Sequence, residues 1–156
     1  MKLITLAAAS LAMAIAAPAL AQNVEKVGTA GGRILTAAKV KAGATTVYLS
    51  GNLASPATPG GSDYGDTKTQ TISTLKKIKE LLAAHGMTMK DIVRMDAYLV
   101  ATPGMDGKMD FAGFNAGFAE FFNNAENPTT TTRTTMQISA LAGPQFLVEL
   151  TVIAAK

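Results

Sequence analysis

Between Val93 and Leu99 apolar and polar residues alternate without a break, with Val93, Met95, Ala97 and Leu99 in one set and Arg94, Asp96 and Tyr98 in the other. Period two marks a β-strand with one buried face. Segments of helical period flank it on both sides. Asp66 stands ahead of an apolar stripe of Ile72, Leu75, Ile78 and Leu82 that stops near Gly86, so the spacing predicts a helix capped by Asp66. Asp110 stands in the same way ahead of Phe111, Phe114, Phe118, Phe121 and Phe122. A one-sided strand between two striped helices points to an α+β domain, a mixed sheet with both helices on one face.

The remaining segments fit that frame. Gln22 to Arg33, with Gly28, Gly31 and Gly32, reads as a short edge strand or arm running into a turn, and Thr46 to Ser50 as a buried strand. Asn52 to Gly65 and Ala101 to Lys108 read as loops, the first long enough to suggest a role. Near the end, Arg133, Thr135 and Gln137 alternate with Thr134, Met136 and Ile138. In the following run Glu149, Thr151 and Ile153 share one face opposite Val148, Leu150 and Val152. These are two strands, expected as an antiparallel hairpin turning at Ala142-Gly143-Pro144. The order is strand, strand, helix, strand, helix, strand, strand, one domain over 22–156 without an internal repeat. The far face of such a sheet must also meet something, and Tyr48, Met136 and Ile153 are candidates for a subunit interface.

The chain begins with Met1-Lys2, an apolar run from Leu3 to Ala17, and Pro18-Ala19-Leu20-Ala21. This pattern predicts a signal peptide over 1–21 cut after Ala21, and a periplasmic or secreted, nearly neutral product without stable membrane insertion. Composition narrows the chemistry. A chain 48% hydrophobic and 16% charged folds, and a formal charge of +3 spread over scattered lysines is too weak a field to indicate a nucleic-acid partner. Zero Cys removes disulfides, thiolate metal sites and a thiol nucleophile, and a single histidine removes multi-histidine metal sites. That histidine, His85, falls in the last turn of the first helix, where an imidazole suits the dipole. Gly28 to Arg33 lacks the strand, helix and Lys-Ser/Thr pair of a phosphate loop, and no Gly-x-Ser-x-Gly elbow occurs.

Arg133 and Glu149 are the informative ionisable residues. The planar fork of Arg133 suits a carboxylate bound by two parallel hydrogen bonds. If opposed residue numbers in the expected hairpin sum to an even value, Glu149 projects from the same face within one subunit. The pair is then either an anion clamp beside a general base or a plain ion pair stabilising the hairpin. Asn115 falls inside the aromatic stripe of the second helix, where a buried amide needs partners. It is expected to tie a neighbouring strand or loop through backbone hydrogen bonds.

Taken in order, a set of pieces resembles the YjgF/RidA family of enamine/imine deaminases. They are Val40 to Gly43, Val47 to Gly51, Gly65-Asp66 with Gln70-Thr71, Leu75 to Gly86, Asp91 to Arg94, Tyr98-Leu99, Asp110-Phe111 with Asn115 and Phe121-Phe122, Thr132 to Gln137, and Val148-Glu149 leading to Ile153-Ala154. The resemblance implies a chorismate-mutase-like α+β fold assembled as a homotrimer with clefts between subunits. It implies hydrolysis of 2-enamine or 2-imine acids to 2-keto acids and ammonia, with no cofactor and no metal. Carried over by motif, Arg133 would hold the substrate carboxylate, Glu149 would position or activate water, and Thr135 would stand where the family often has Cys or Thr. Ser50 and Gly51 would line the cleft, and Asn115 would support its wall. The family's Pro-Tyr-Ser-Gln tyrosine falls at Leu35 or Thr36 here, with Tyr64 as a candidate replacement. The alternative is a noncatalytic trimer that binds small ligands or unfolding clients in the envelope.

Overall fold

The strand with the unbroken alternation lies inside a four-stranded sheet. A computed structural model describes residues 23–156, so the expected signal segment 1–21 lies outside the described residues. Along the chain come β1 (Val24–Val27), β2 (Ala37–Val40), β3 (Thr46–Leu53), α1 (Thr67–Ala84), β4 (Ile92–Leu99), α2 (Phe111–Ala119), β5 (Thr132–Gln137) and β6 (Val148–Ala155). β1 and β2 form an antiparallel ribbon of their own, one strand more than the sequence pattern suggests. The main sheet runs β3-β6-β4-β5, with β6 antiparallel to both neighbours and β4 parallel to β5.

The expected hairpin of the last two strands does not form, because β4 separates β5 from β6. Burial explains the choice. β6 carries Val148, Leu150, Val152 and Ala154 on one face, all buried, and such a strand belongs at the centre under both helices. β5 carries Arg and Thr and is left at the edge. The other edge is β3. Thr46 to Ser50 was expected to be buried, yet Tyr48 is 74% exposed and only Val47 and Leu49 pack inward.

Both helices lie on the same side of the sheet, as the apolar stripes predict. Leu75, Ile78 and Leu82 of α1 and Phe114, Phe118 and Phe122 on and after α2 close over Met95, Ala97, Leu99 and the inward face of β6. The helices meet at Gly117, where a Cβ would come within 2.8 Å of Thr71 Cβ and 3.0 Å of the Lys68 carbonyl oxygen. The first half of α1 departs from the apolar stripe, burying Thr67, Gln70, Thr71 and Thr74 instead of Ile72. Gln70 is satisfied there: its amide nitrogen donates to the carbonyls of Gly65 and Gln145, and its oxygen accepts from the Leu147 N–H at 2.8 Å.

Asp66 caps α1 as predicted, its carboxylate accepting from the Thr69 N–H at 2.8 Å. That hydrogen bond holds the carboxyl below its ordinary pKa. Its contribution is therefore present above the unfolded carboxylate pKa and is lost as pH falls through the lower folded value. Asp66→Ala is expected to cost about 1 kcal/mol in urea unfolding at pH 7, a difference that shrinks towards zero in strongly acidic buffer. At the other end the C-cap residue is His85, whose backbone N–H makes the cap while its side chain stays exposed, and Gly86 turns the chain at φ +66°.

Candidate functional site

Opposed residues on adjacent strands share a face. Arg133 is opposite Met95, which is opposite Val152, so Arg133 and Thr135 face the helices. Glu149 is opposite Tyr98, on the other face. The two therefore do not line one site within a protomer, and the ion pair weighed for a hairpin does not form. Their strands are separated by β4, two strand spacings or roughly 10 Å, and their side chains leave on opposite faces.

Arg133 enters a cage built by α2. Its guanidinium lies 4.5 Å from the Phe118 ring centre, 4.9 Å from Phe114 and 6.0 Å from Phe111, and its Nη2 donates to Asn115 Oδ1 at 2.9 Å. Asn115 thus serves the arginine side chain rather than a strand backbone. Helical spacing explains the arrangement: positions 111, 114, 115 and 118 lie along one face of α2. The aromatic faces attract the cation but do not neutralise it. Nη1 of Arg133 is buried with no hydrogen-bond partner, as is the hydroxyl of Thr135, and no carboxylate is within ion-pair distance of Arg133 among the described residues. Burial, together with the nearby charge of Arg33, lowers the Arg133 pKa to about 10, so the group remains a cation at neutral pH.

The second group of candidate residues lies at the β3 edge. Leu49 is opposite Val152 and Asn52 opposite Leu150, so Ser50 and Gly51 together face the single residue Thr151. This is a β-bulge, a device that re-aims neighbouring groups. Asn52 Nδ2 closes it by donating to the Ser50 carbonyl at 2.7 Å. Gly51 leaves room for the Glu149 carboxylate, which a Cβ there would overlap and push aside. The structure therefore gathers Arg133, Asn115 and Thr135 in one place, and Ser50, Gly51 and Glu149 in another.

Other expected residues fall outside both groups. Tyr64 packs edge-on against Phe146, ring centres 5.1 Å apart. The 101–108 loop is tied to the end of β5, where Gln137 donates to the Gly107 carbonyl and accepts from the Met109 N–H, both at 2.8 Å. Sequence reasoning missed two arginines. Arg94 pairs with Asp96 on the face away from the helices and donates to Thr134 Oγ1 at 2.7 Å. Arg33 is exposed in the β1–β2 loop, and its charge adds to burial in lowering the Arg133 pKa; nothing in its glycine-rich local sequence signals this.

Residues 36–156 match the family model described as Endoribonuclease L-PSP. The chain belongs to the YjgF/RidA family. A RutC family protein of Sulfurisphaera tokodaii is 33% identical over 113 residues, 71% of this chain and 80% of that protein. A RutC family protein of Pyrococcus horikoshii is 29% identical over 117 residues, covering 75% and 83%. Among solved structures, the Rid family protein YyfB of Yersinia pestis superposes with a TM-score of 0.66 at 23% identity, covering 86% of this chain and all of that one, which supports the fold alone. E. coli TdcF, solved with bound serine, superposes with a TM-score of 0.58 at 26% identity, covering 75% and 84%. The α+β arrangement of two helices on a mixed sheet is thus the YjgF/RidA fold.

Proposed function

We propose that the protein hydrolyses small 2-imino acids, and the 2-enamino acids in equilibrium with them, to 2-keto acids and ammonia. The observation that carries the reading is the pair of buried, unpartnered groups on one face of β5, Arg133 Nη1 and Thr135 Oγ1. A buried cation without a counter-ion is costly, and a bound carboxylate removes the cost. Family membership and the serine held by TdcF fit a ligand of amino-acid size that bears a carboxylate.

In this reading Arg133 holds the carboxylate, with Asn115 and the phenylalanine rings fixing the guanidinium. Water adds to the imine carbon through its oxygen while Glu149 takes the proton. Glu149 passes that proton to the nitrogen, completing the carbinolamine; the carbinolamine hydroxyl then gives its proton to the same nitrogen through Glu149 as the C–N bond breaks, so ammonia leaves, the C=O bond forms and the carboxylate is restored. No electron is gained or lost. The substrate is intrinsically labile, so orientation by the clamp and one positioned water supply the rate. Because the two groups of residues sit at opposite sheet edges, the cleft joining them forms between the β5 edge of one copy and the β3 edge of the next. Three copies close that head-to-tail contact into a ring, a homotrimer with three composite clefts. Export after removal of 1–21 would place this chemistry outside the cytoplasm.

The test is the decay of 2-iminopropionate generated in situ by an amino-acid oxidase, followed by ammonia release, with assembly checked by light scattering. Acceleration by the wild type supports the reading. No acceleration by a folded trimer overturns it in favour of ligand or client binding without catalysis. Gly51→Ala sharpens the test, since its new methyl displaces only the mobile end of Glu149. It is expected to lower kcat/KM at least tenfold with a melting temperature within a few degrees of wild type.

A further inference from the structure

The cation in the phenylalanine cage has a neighbour of the same sign. Arg33 lies in the loop between β1 and β2, and that loop is fastened to the segment leading into β5. The Arg33 carbonyl accepts from Thr130 Oγ1 at 2.9 Å and from Asn123 Nδ2 at 3.4 Å, the Gly32 carbonyl accepts from the same amide at 3.1 Å, and the Leu35 N–H donates to the Thr131 carbonyl at 3.0 Å. Lys26 on β1 holds the same segment from its other side, donating to the Thr130 carbonyl at 2.9 Å. Asn123 adopts φ +54°, a left-handed conformation that is uncommon outside glycine.

Thr130 precedes Arg133 by three residues, about 10 Å of extended chain. Two arginine side chains leaning towards one ligand can span that distance. The Arg33 side chain is exposed, and no carboxylate is within ion-pair distance of it or of Arg133 among the described residues. Its charge also contributes to lowering the Arg133 pKa. Two cations on segments fastened together without an acid repel each other, and the unmet hydrogen-bonding capacity of Arg133 Nη1 adds to that cost. A ligand with one carboxylate answers Arg133 and leaves Arg33 unpaired. A ligand with two answers both.

We infer that Arg33 is a second anion receptor beside Arg133, so that the preferred ligand of this site is a dicarboxylate. Resting on the deaminase reading, the substrate class becomes the 2-imino dicarboxylic acids. Arg33 then determines specificity: it binds the distal carboxylate and takes no part in the proton transfers.

The experiment compares glutarate with butyrate as unreactive probes, by calorimetry on the assembled protein at fixed ionic strength, for wild type, Arg33→Gln and Arg33→Lys. Parallel assays compare turnover of imines generated from a dicarboxylic and a monocarboxylic amino acid. Wild type is expected to prefer the dicarboxylate by about 10- to 100-fold, the range of one charge-assisted contact. Arg33→Gln should remove that preference, Arg33→Lys should restore part of it, and all three proteins should melt alike because the side chain is exposed. An equal affinity for the two probes in wild type, or a preference that survives Arg33→Gln, overturns the inference. Imine turnover without a dicarboxylate preference keeps the deaminase and removes the role of Arg33. A dicarboxylate preference lost in Arg33→Gln, with no turnover of either imine, keeps the receptor and removes the deaminase.

Discussion

Arg133→Ala is expected to lower kcat/KM for 2-iminopropionate by at least about 100-fold, the loss of two charge-assisted hydrogen bonds to a carboxylate. Stability should move the other way. The arginine is a half-buried cation, its Nη1 fully buried, paired with no acid among the described residues, so removing it relieves a desolvation cost and leaves only Asn115 Oδ1 without its donor. The variant should therefore melt at or above the wild-type temperature while losing turnover. Arg133→Lys keeps the charge without the planar fork and should recover only part of the rate. A folded, assembled Arg133→Ala protein that retains wild-type turnover would eliminate the carboxylate clamp. One that fails to fold would show that the residue is structural, and Arg133→Lys would then carry the kinetic test.

Phe118→Ala is expected to be the most destabilising single change considered, at about 3–5 kcal/mol in urea unfolding at fixed protein concentration. The ring is 1% exposed, stacks on Phe122 with centres 4.4 Å apart, and forms the nearest wall of the Arg133 cage at 4.5 Å. Truncation opens a cavity between α2 and the sheet and removes the nearest of the three aromatic faces around the cation. Phe118→Leu refills much of the space without a π face. It should cost clearly less stability while still weakening binding of a small carboxylate, because the guanidinium loses the surface that orients it. Equal losses of stability in the two variants would show that ring electronics, rather than volume, dominate this core.

Much of the architecture follows from local chemistry. Asp66 and Asp110 announce their helices because a short carboxylate satisfies an unpaired N–H of the first turn. Gly86 ends α1 at a left-handed position, and the alternation from Val93 to Leu99 records one buried face. Other features depend on neighbours that local sequence does not name. Gln70, Thr71 and Thr74 look like surface residues of α1, yet they are buried, Gln70 against the chain entering β6 and Thr71 against Gly117. Arg133 stands out as a candidate anion holder from sequence, since an arginine opening a polar strand suggests that chemistry. Its cage does not, because Phe114, Asn115 and Phe118 read equally well as core packing until α2 is laid over β5.

The two capped helices, the one-sided central strand, the α+β class and the residue types at the candidate site can be read from the chain without its neighbours. Each of these depends on interactions within a turn or along a few residues, and such interactions leave a periodic trace. Packing alone sets β4 between β5 and β6, turns Arg133 and Glu149 to opposite sides of the sheet, and fastens the loop carrying Arg33 to the segment leading into β5. A strand pattern shows which face is buried but not which strand lies alongside. That choice goes to the arrangement that covers the most apolar surface, which here places β6 at the centre and leaves the polar strand carrying Arg133 at the edge.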